Sequence, residues 1–257
     1  MQTSPTIPST PAVSGSAARP GGLRRLVTDA PTRMFHWLFA LSFLGAYLTA
    51  EGERWRMLHV TLGYTMAGLL VFRLLYGLWG PRQAGLGLMW RKLAGVSAWM
   101  ASLRKARSLS QVPWRQGQNL LMALAVVALM ALVVPLTLTG YLTFNDWGDV
   151  LGGDALEELH EFFGNSLLAV ALAHVALVVG LSLLRRKNQA LPMLTGRVPG
   201  SGPDLVKRNR VWLAWLLLAA VLGYGSWEWQ QSPNGLIPSS AFVGTARNLD
   251  RDHDDDD

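Results

Sequence analysis

The sequence predicts an all-α integral membrane protein, a four-helix core with a fifth transmembrane helix beside it. Half of the 257 residues are hydrophobic, and they collect in five long runs. A helix needs about 17–25 apolar residues to cross ~30 Å of hydrocarbon, and each run has roughly this length. The runs are Pro31–Ala50, His59–Trp79, Gln118–Leu142, Leu159–Leu184 and Val211–Glu228.

The segments outside these runs are polar. The first 22 residues are rich in Ser, Thr, Pro and Gly and contain no apolar core. We therefore predict a disordered arm over 1–30 rather than a signal peptide. The core is predicted over 31–186, with a kink at Pro135. A loop follows over 187–210, then the fifth helix over 211–228 and an acidic tail over 229–257, in which His253 is expected to have no function.

Lysine and arginine residues predict the orientation of the chain. Of the 23, 18 lie in the N-terminal arm and the first residues of the first run, or in the loops after the second and fourth runs. Four lie on the opposite side, and Arg73 lies inside the second run. Because loops rich in Lys and Arg stay in the cytoplasm, we predict a cytoplasmic N-terminus and a periplasmic C-terminus.

Two surface features each leave two interpretations open. The stretch "LMWRKLAGVSAWMASLRKA" after the second run is either a helix lying flat on the cytoplasmic membrane surface or an ordinary basic loop. The periplasmic side is either simply polar or a docking surface for a basic partner. Its acidic residues are Glu51, Glu53, Asp146, Asp149, Asp154, Glu157, Glu158, Glu161 and those of the tail.

The chain has no cysteine, which excludes disulfides, thiolate-held iron–sulfur clusters and covalently attached c-type haem. Histidine is then the main candidate metal ligand. His160 and His174 lie fourteen residues apart on one run, which is about 21 Å of helix and nearly four full turns. They therefore point to nearly the same side at different depths and cannot share one ion.

The remaining two histidines of the runs complete two pairs by depth. His36 enters the first run from the cytoplasmic side, and His59 begins the second run on the periplasmic side. Depth predicts that His59 faces His160 and that His36 faces His174. Zinc needs three or four protein ligands, whereas a low-spin b haem needs two axial imidazoles. The sequence thus predicts two bis-histidine haem sites.

The helix faces beside these histidines carry small residues and one arginine. Gly63 and Gly164 each lie about one turn from a histidine, which leaves room for a flat macrocycle or for close helix packing. Arg73 lies fourteen residues after His59, without an obvious acidic partner in the runs. We expect it to bind a haem propionate or a quinone oxygen, the alternative being a side chain that extends to the interface. Weaker propionate candidates are Arg33, Arg54 and Arg56.

Three stretches carry a family resemblance: "RMFHWLFALSFLGAYL", "HVTLGYTMAGLLVFRLLYGLWGP" and "HEFFGNSLLAVALAHV". Together with "PLTLTGYL", they resemble the prokaryotic cytochrome b561 family, which includes the cytochrome b subunits of nickel–iron hydrogenase, formate dehydrogenase and thiosulfate reductase. The resemblance covers roughly Arg33–Arg186. It implies a helical bundle with two b haems and quinone chemistry at one face. On the family's ligand positions lie His36, His59, His160 and His174.

The expected function is therefore electron transfer in the bacterial inner membrane. Electrons would pass between the quinone pool and a periplasmic redox partner, either a c-type cytochrome or a dehydrogenase or hydrogenase subunit. The quinone site is expected near Arg73, or alternatively near Glu161. No catalytic residue and no nucleic-acid partner is predicted. Alternatives are a superoxide-to-quinone oxidoreductase of the same fold and a haem-free His/Arg proton or ion transporter.

Overall fold

A computed structural model describes residues 24–81, 85–106, 108–147, 154–232 and 236. Helices make up most of this part of the chain, and all five predicted runs are helical. The predicted arm before residue 24 and most of the acidic tail, including His253, lie outside the described residues. In chain order the elements are β1 (Arg24–Leu26), α1 (Ala30–Leu48), a 3-10 turn (Glu53–Trp55), α2 (Arg56–Trp79), α3 (Leu86–Lys105), a 3-10 turn (Leu109–Gln111), α4 (Trp114–Phe144), α5 (Ala155–Arg185), α6 (Leu191–Leu194), β2 (Arg197–Pro199) and α7 (Val211–Gln231).

The ends of the helices follow local side-chain chemistry. Asp29 caps α1, accepting a hydrogen bond from Thr32 N at 3.3 Å, and Pro31 occupies the first turn, where its missing N–H costs nothing. Helix α4 continues through Pro135, with the Thr139 hydroxyl bonded to the Pro135 carbonyl at 2.8 Å. Helix α5 ends at Arg185, and the cap residue Arg186 adopts a left-handed conformation with φ of 48°.

Neighbouring helices form the bundle around one apolar core. Helix α1 packs against α2 and α7, α2 also packs against α4, and α4 packs along α5. The core lies among α2, α4 and α5, where Met66, Val133 and Leu167 are each no more than 2% exposed. Large apolar side chains on the outer faces are exposed instead, as Leu48 at 73% and Leu183 at 73% show. An apolar outer surface of this kind is matched to lipid.

Four helices are long and apolar enough to cross a membrane: Glu53–Trp79, Trp114–Phe144, Ala155–Arg185 and Val211–Gln231. Helix α1, the first predicted span, does not meet this criterion of length and composition, although it has 19 residues. The physical reason is its polar first half, which carries Arg33 and His36. Its second half exposes Leu41, Leu44 and Leu48 on the outer face, like the other helices.

A small antiparallel sheet lies at one end of the bundle, which we call the sheet end; the opposite end is the far end. Strand β1 pairs with β2, with Leu26 opposite Arg197. Asp204 accepts from Leu26 N at 2.6 Å, and the side-chain oxygen of Asn209 accepts from Ala30 N at 2.8 Å. Residues 24–29 of the predicted arm and much of the predicted loop are therefore structured together.

The basic stretch after the second run forms helix α3, which packs against the start of α4. Contact is close at Gly117, where an added Cβ would lie 2.6 Å from Cζ2 of Trp99. Trp90 is 74% exposed. The helical content of this stretch agrees with both interpretations of it, and its place on the membrane surface stays a prediction.

Candidate metal centre

The first histidine pair joins α2 and α5 at the far end of the bundle. The rings of His59 and His160 have centroids 5.9 Å apart and meet edge to face at 77°. His59 Nδ1 lies 2.8 Å from the Ala46 carbonyl, and His160 Nδ1 lies 3.1 Å from the Leu136 carbonyl. This is the pairing that depth along the helices predicts.

These two hydrogen bonds determine which nitrogen of each ring can bind a metal. A carbonyl oxygen only accepts, so Nδ1 must carry the hydrogen and donate it. Nε2 of His59 and of His160 is then the nitrogen with a free lone pair. A ligating histidine held through its other N–H has a defined ring orientation and a higher basicity. The far-end pair thus presents two imidazole nitrogens that are able to bind a metal.

The second pair joins α1 and α5 nearer the sheet end. The imidazoles of His36 and His174 lie close enough to interact electrostatically. Their Nδ1 atoms are buried without a hydrogen-bond partner among the described residues. About one turn before His36, Thr32 Oγ1 and Arg33 Nε are likewise buried without a hydrogen-bond partner among the described residues. Buried polar atoms normally have partners, so this group of atoms keeps unused hydrogen-bonding capacity in the bundle.

A layer of apolar side chains separates the two pairs. Leu167 lies seven residues from His160 and seven from His174, about 10.5 Å of helix in each direction. It is 1% exposed and belongs to one core cluster with Met66 and Val133. This layer excludes water between the pairs and keeps them as separate sites at two depths.

Arg73 is buried, at 8% exposed, and interacts electrostatically with Asp29 and Tyr76. Sequence reasoning searched for an acidic partner of Arg73 only within the hydrophobic runs and found none there. The partner, Asp29, lies one residue before α1 and is itself only 2% exposed. Binding of a propionate or quinone by Arg73 stays a prediction, now for an arginine that has a carboxylate within electrostatic range.

The other charged candidates lie at the surface or have protein partners. Arg33 donates to the Leu194 carbonyl at 3.3 Å, and Arg56 lies 5.5 Å from the centre of the Phe144 ring. Arg54 is exposed. Glu161, the alternative quinone residue, is exposed and accepts from Asn165 at 3.4 Å. Among the described residues, these contacts do not bring the four candidate side chains together into one site. The four are Arg33, Arg54, Arg56 and Glu161.

Sequence reasoning missed three residues of a network that includes Arg73, namely Asp29, Tyr76 and Arg210. The Tyr76 hydroxyl donates a short hydrogen bond to Asp29 Oδ2, and Arg210 donates to the Tyr76 hydroxyl at 3.3 Å. One signal was available: an aspartate followed by Ala-Pro is a typical helix start, which places its carboxylate at the end of α1. Tyr76 and Arg210 carried no comparable signal, because their contacts join residues 134 positions apart.

A helical bundle with an apolar outer surface and imidazoles opposed across its helix interfaces defines a membrane cytochrome of the b type. The family model for prokaryotic cytochrome b561 matches residues 27–196, more than half of the chain, so the protein belongs to this family. It is accordingly a membrane b-type cytochrome in electron transfer, and the family implies haem b. No curated protein and no solved structure matches the chain.

The residues present fit haem b. Each depth offers two imidazoles on different helices, and in the described part of the chain no three His, Asp or Glu side chains group as metal ligands. Such a donor set needs a macrocycle to complete it. Space is also available beside the ligands. An added Cβ at Gly63 would meet nothing within 4 Å, and at Gly164 only Leu136 Cδ1 at 3.9 Å.

Proposed function

We propose that this protein is a di-haem cytochrome b that passes electrons between the quinone pool and a periplasmic redox protein. The observation that carries the proposal is the arrangement of four histidines at two depths: the ring centroids of His59 and His160 lie 5.9 Å apart, and His36 lies within electrostatic range of His174. One pair would support a single haem. Two pairs separated by an apolar layer give a route for electrons along the bundle.

Haem b supplies a one-electron carrier that needs no proton of its own. The chain's contribution is to hold the axial imidazoles and to keep water away. The carbonyls of Ala46 and Leu136 hold the far-end ligands by their Nδ1 hydrogens. The buried side chains of Met66, Val133 and Leu167 form a dry medium between the two levels. Rigid ligands in a dry medium need little rearrangement when the charge on the iron changes.

The distribution of basic residues supports an orientation in which the sheet end is cytoplasmic. In that orientation the far end is periplasmic. Its described acidic residues are exposed and would attract a partner with a basic surface, such as a c-type cytochrome. They include Glu51, Glu53, Asp146, Asp154, Glu157, Glu158 and Glu161.

The haem content of the purified protein tests this proposal. A pyridine haemochrome assay is expected to give close to two haems per chain, with a six-coordinate low-spin spectrum in both oxidation states. A single haem would remove one of the two levels from the proposed route. A colourless, folded preparation from haem-replete cells would contradict haem binding altogether and return the haem-free transporter as an explanation of the histidines.

Replacing Arg73 by glutamine tests its predicted role at the sheet end. Losing a buried positive charge disfavours the reduced, less positive haem, so the sheet-end potential is expected to fall while the far-end potential stays. If Arg73 also holds a quinone oxygen, quinol oxidation slows about 10-fold or more, because a hydrogen bond to a charged group contributes ~1.5–3 kcal/mol. Potentiometry and quinol kinetics on the same preparation measure the two effects separately.

Lysine at position 73 is the control for charge. It keeps the charge without the planar fork of arginine, so it restores the potential but not a bidentate contact. If Arg73→Gln leaves both potentials and quinol oxidation unchanged, Arg73 has no role at either cofactor. The quinone site would then be sought at the far end near Glu161.

A further inference from the structure

A buried network of charged and hydroxyl groups lies at the sheet end, where α1, α2 and α7 meet. Asp29 is 2% exposed, Tyr76 7% and Arg73 8%. The Tyr76 hydroxyl donates to Asp29 and accepts from Arg210 Nη1 at 3.3 Å. The guanidinium of Arg210 also lies 5.8 Å from the centre of the Tyr76 ring, and that ring stacks on Phe72 with centroids 5.5 Å apart.

The network reaches beyond the part of the chain that the family model covers. The match ends at residue 196, whereas Arg210 lies immediately before α7. Its neighbour Asn209 accepts from Ala30 N through both its side-chain and its backbone oxygen, at 2.8 and 3.2 Å. Asn209 and Arg210, the two residues directly before α7, are thus hydrogen-bonded to the start of α1 and to α2, respectively.

The network is also close to the second histidine pair. Asp29, the cap of α1, lies seven residues before His36, which corresponds to about 10.5 Å of helical rise. Asp29 is buried and Arg210 is half-buried, and charges shielded from water in this way are screened less than exposed charges at the same range. A haem held by His36 and His174 would therefore respond to the charges of this network.

We propose that Asp29 and Arg210 tune the reduction potential of the sheet-end haem in opposite directions, and that Tyr76 holds Arg210 in the position from which it acts. This inference rests on the proposed di-haem function. Ferric haem carries one more positive charge than ferrous haem. The Asp29 carboxylate therefore favours the ferric form and lowers the potential, whereas the Arg210 guanidinium favours the ferrous form and raises it. Helix α7, the fifth predicted transmembrane helix, thereby becomes part of the electron-transfer unit.

The test is a redox titration of the haem-loaded, full-length protein, followed by its optical and electron paramagnetic resonance spectra. Asp29→Asn is expected to raise the sheet-end potential, and Arg210→Gln is expected to lower it. Each change alters the ferrous-to-ferric ratio at a fixed ambient potential by about tenfold, for a unit charge at this range. For a one-electron couple, tenfold corresponds to about 59 mV. The far-end haem is the internal reference and is expected to stay unchanged.

Three further variants separate tuning from a general structural effect. Arg210→Lys keeps the charge and is expected to retain the wild-type potential. Arg208→Gln removes an exposed arginine two residues away and is the matched control, expected to have no effect. Tyr76→Phe removes both hydrogen bonds without changing the charge, and is expected to shift the potential in the same direction as Arg210→Gln. Because the Arg210 and Tyr76 variants retain Asp29, they decide the question even if Asp29→Asn fails to fold.

Two results would overturn the inference. One is a sheet-end potential that is the same in Asp29→Asn, Arg210→Gln and wild type. The other is a shift of equal size and sign in both haems, which would indicate a global change in packing. A wild-type protein that holds fewer than two haems would instead contradict the proposed function, and the haemochrome assay detects that before any variant is titrated.

Discussion

Replacing His59 by alanine is expected to remove the same haem as replacing His160 by alanine. The two rings meet edge to face between α2 and α5, with centroids 5.9 Å apart. A b haem needs both axial ligands to stay six-coordinate and low-spin. Each variant is therefore expected to fall from about two haems per chain to about one, and to lose the same redox component.

The companion pair provides the control for this experiment. His36→Ala and His174→Ala are expected to remove the other haem and to leave the far-end component at its wild-type potential. Difference spectra and redox titrations of the four single variants therefore separate into two matching sets. If His59→Ala matched His174→Ala instead, the pairing by depth and the assignment of the haems to the two ends would both be wrong.

The histidine pairing was predictable because it depends on helix geometry alone. Once a run is a helix, its rise fixes the depth of His160 and His174, and the alternation of spans fixes the depths of His36 and His59. The rings of His59 and His160 are in contact, and His36 lies within electrostatic range of His174. That each pair binds a haem stays a prediction. The family was likewise recognisable from motifs around these histidines, and the family match confirms it.

The sheet end was not predictable in the same way. Strand β1 is only three residues long, and its partner strand lies more than 170 residues further along the chain. Asp29 reads as a helix cap from its neighbours, but its contact with Tyr76 joins two helices through a single hydrogen bond. Contacts of this kind depend on how the loop after α5 folds back, and no periodicity in the sequence encodes that path.

The two histidine pairs also differ in a way that composition does not reveal. The far-end imidazoles already donate their Nδ1 hydrogens to the carbonyls of Ala46 and Leu136. At the sheet end, Nδ1 of His36 and of His174 is buried without such a bond among the described residues. An acceptor at Nδ1 fixes the ring orientation and strengthens the ligand, so a haem held at the far end would have the better-oriented ligand set. The acceptors are backbone carbonyls, which every residue carries, so the residue types in the sequence do not predict this difference between the pairs.

A single methyl group at Gly140 tests how tightly the protein holds His160. Helix α4 passes so close to the ring that an added Cβ at Gly140 would lie 2.8 Å from Cε1 and 3.1 Å from Nδ1. Overfilling a packed site typically costs ~1–3 kcal/mol. In Gly140→Ala the ring must move away from the Leu136 carbonyl that orients it. Far-end haem occupancy is therefore expected to fall about 10-fold or more at limiting haem, with the sheet-end haem retained.

Gly68→Ala is the matched control for this variant. Gly68 lies within α2, and a Cβ added there would meet nothing within 4 Å. Alanine favours a helix over glycine by about 1 kcal/mol, so this variant is expected to keep both haems and to lose no stability. Haem titration of the two apoproteins side by side gives the comparison. Full far-end occupancy and an unchanged low-spin spectrum in Gly140→Ala would mean that iron ligation holds His160 away from Gly140. The close contact between α4 and the ring would then not be what positions this ligand.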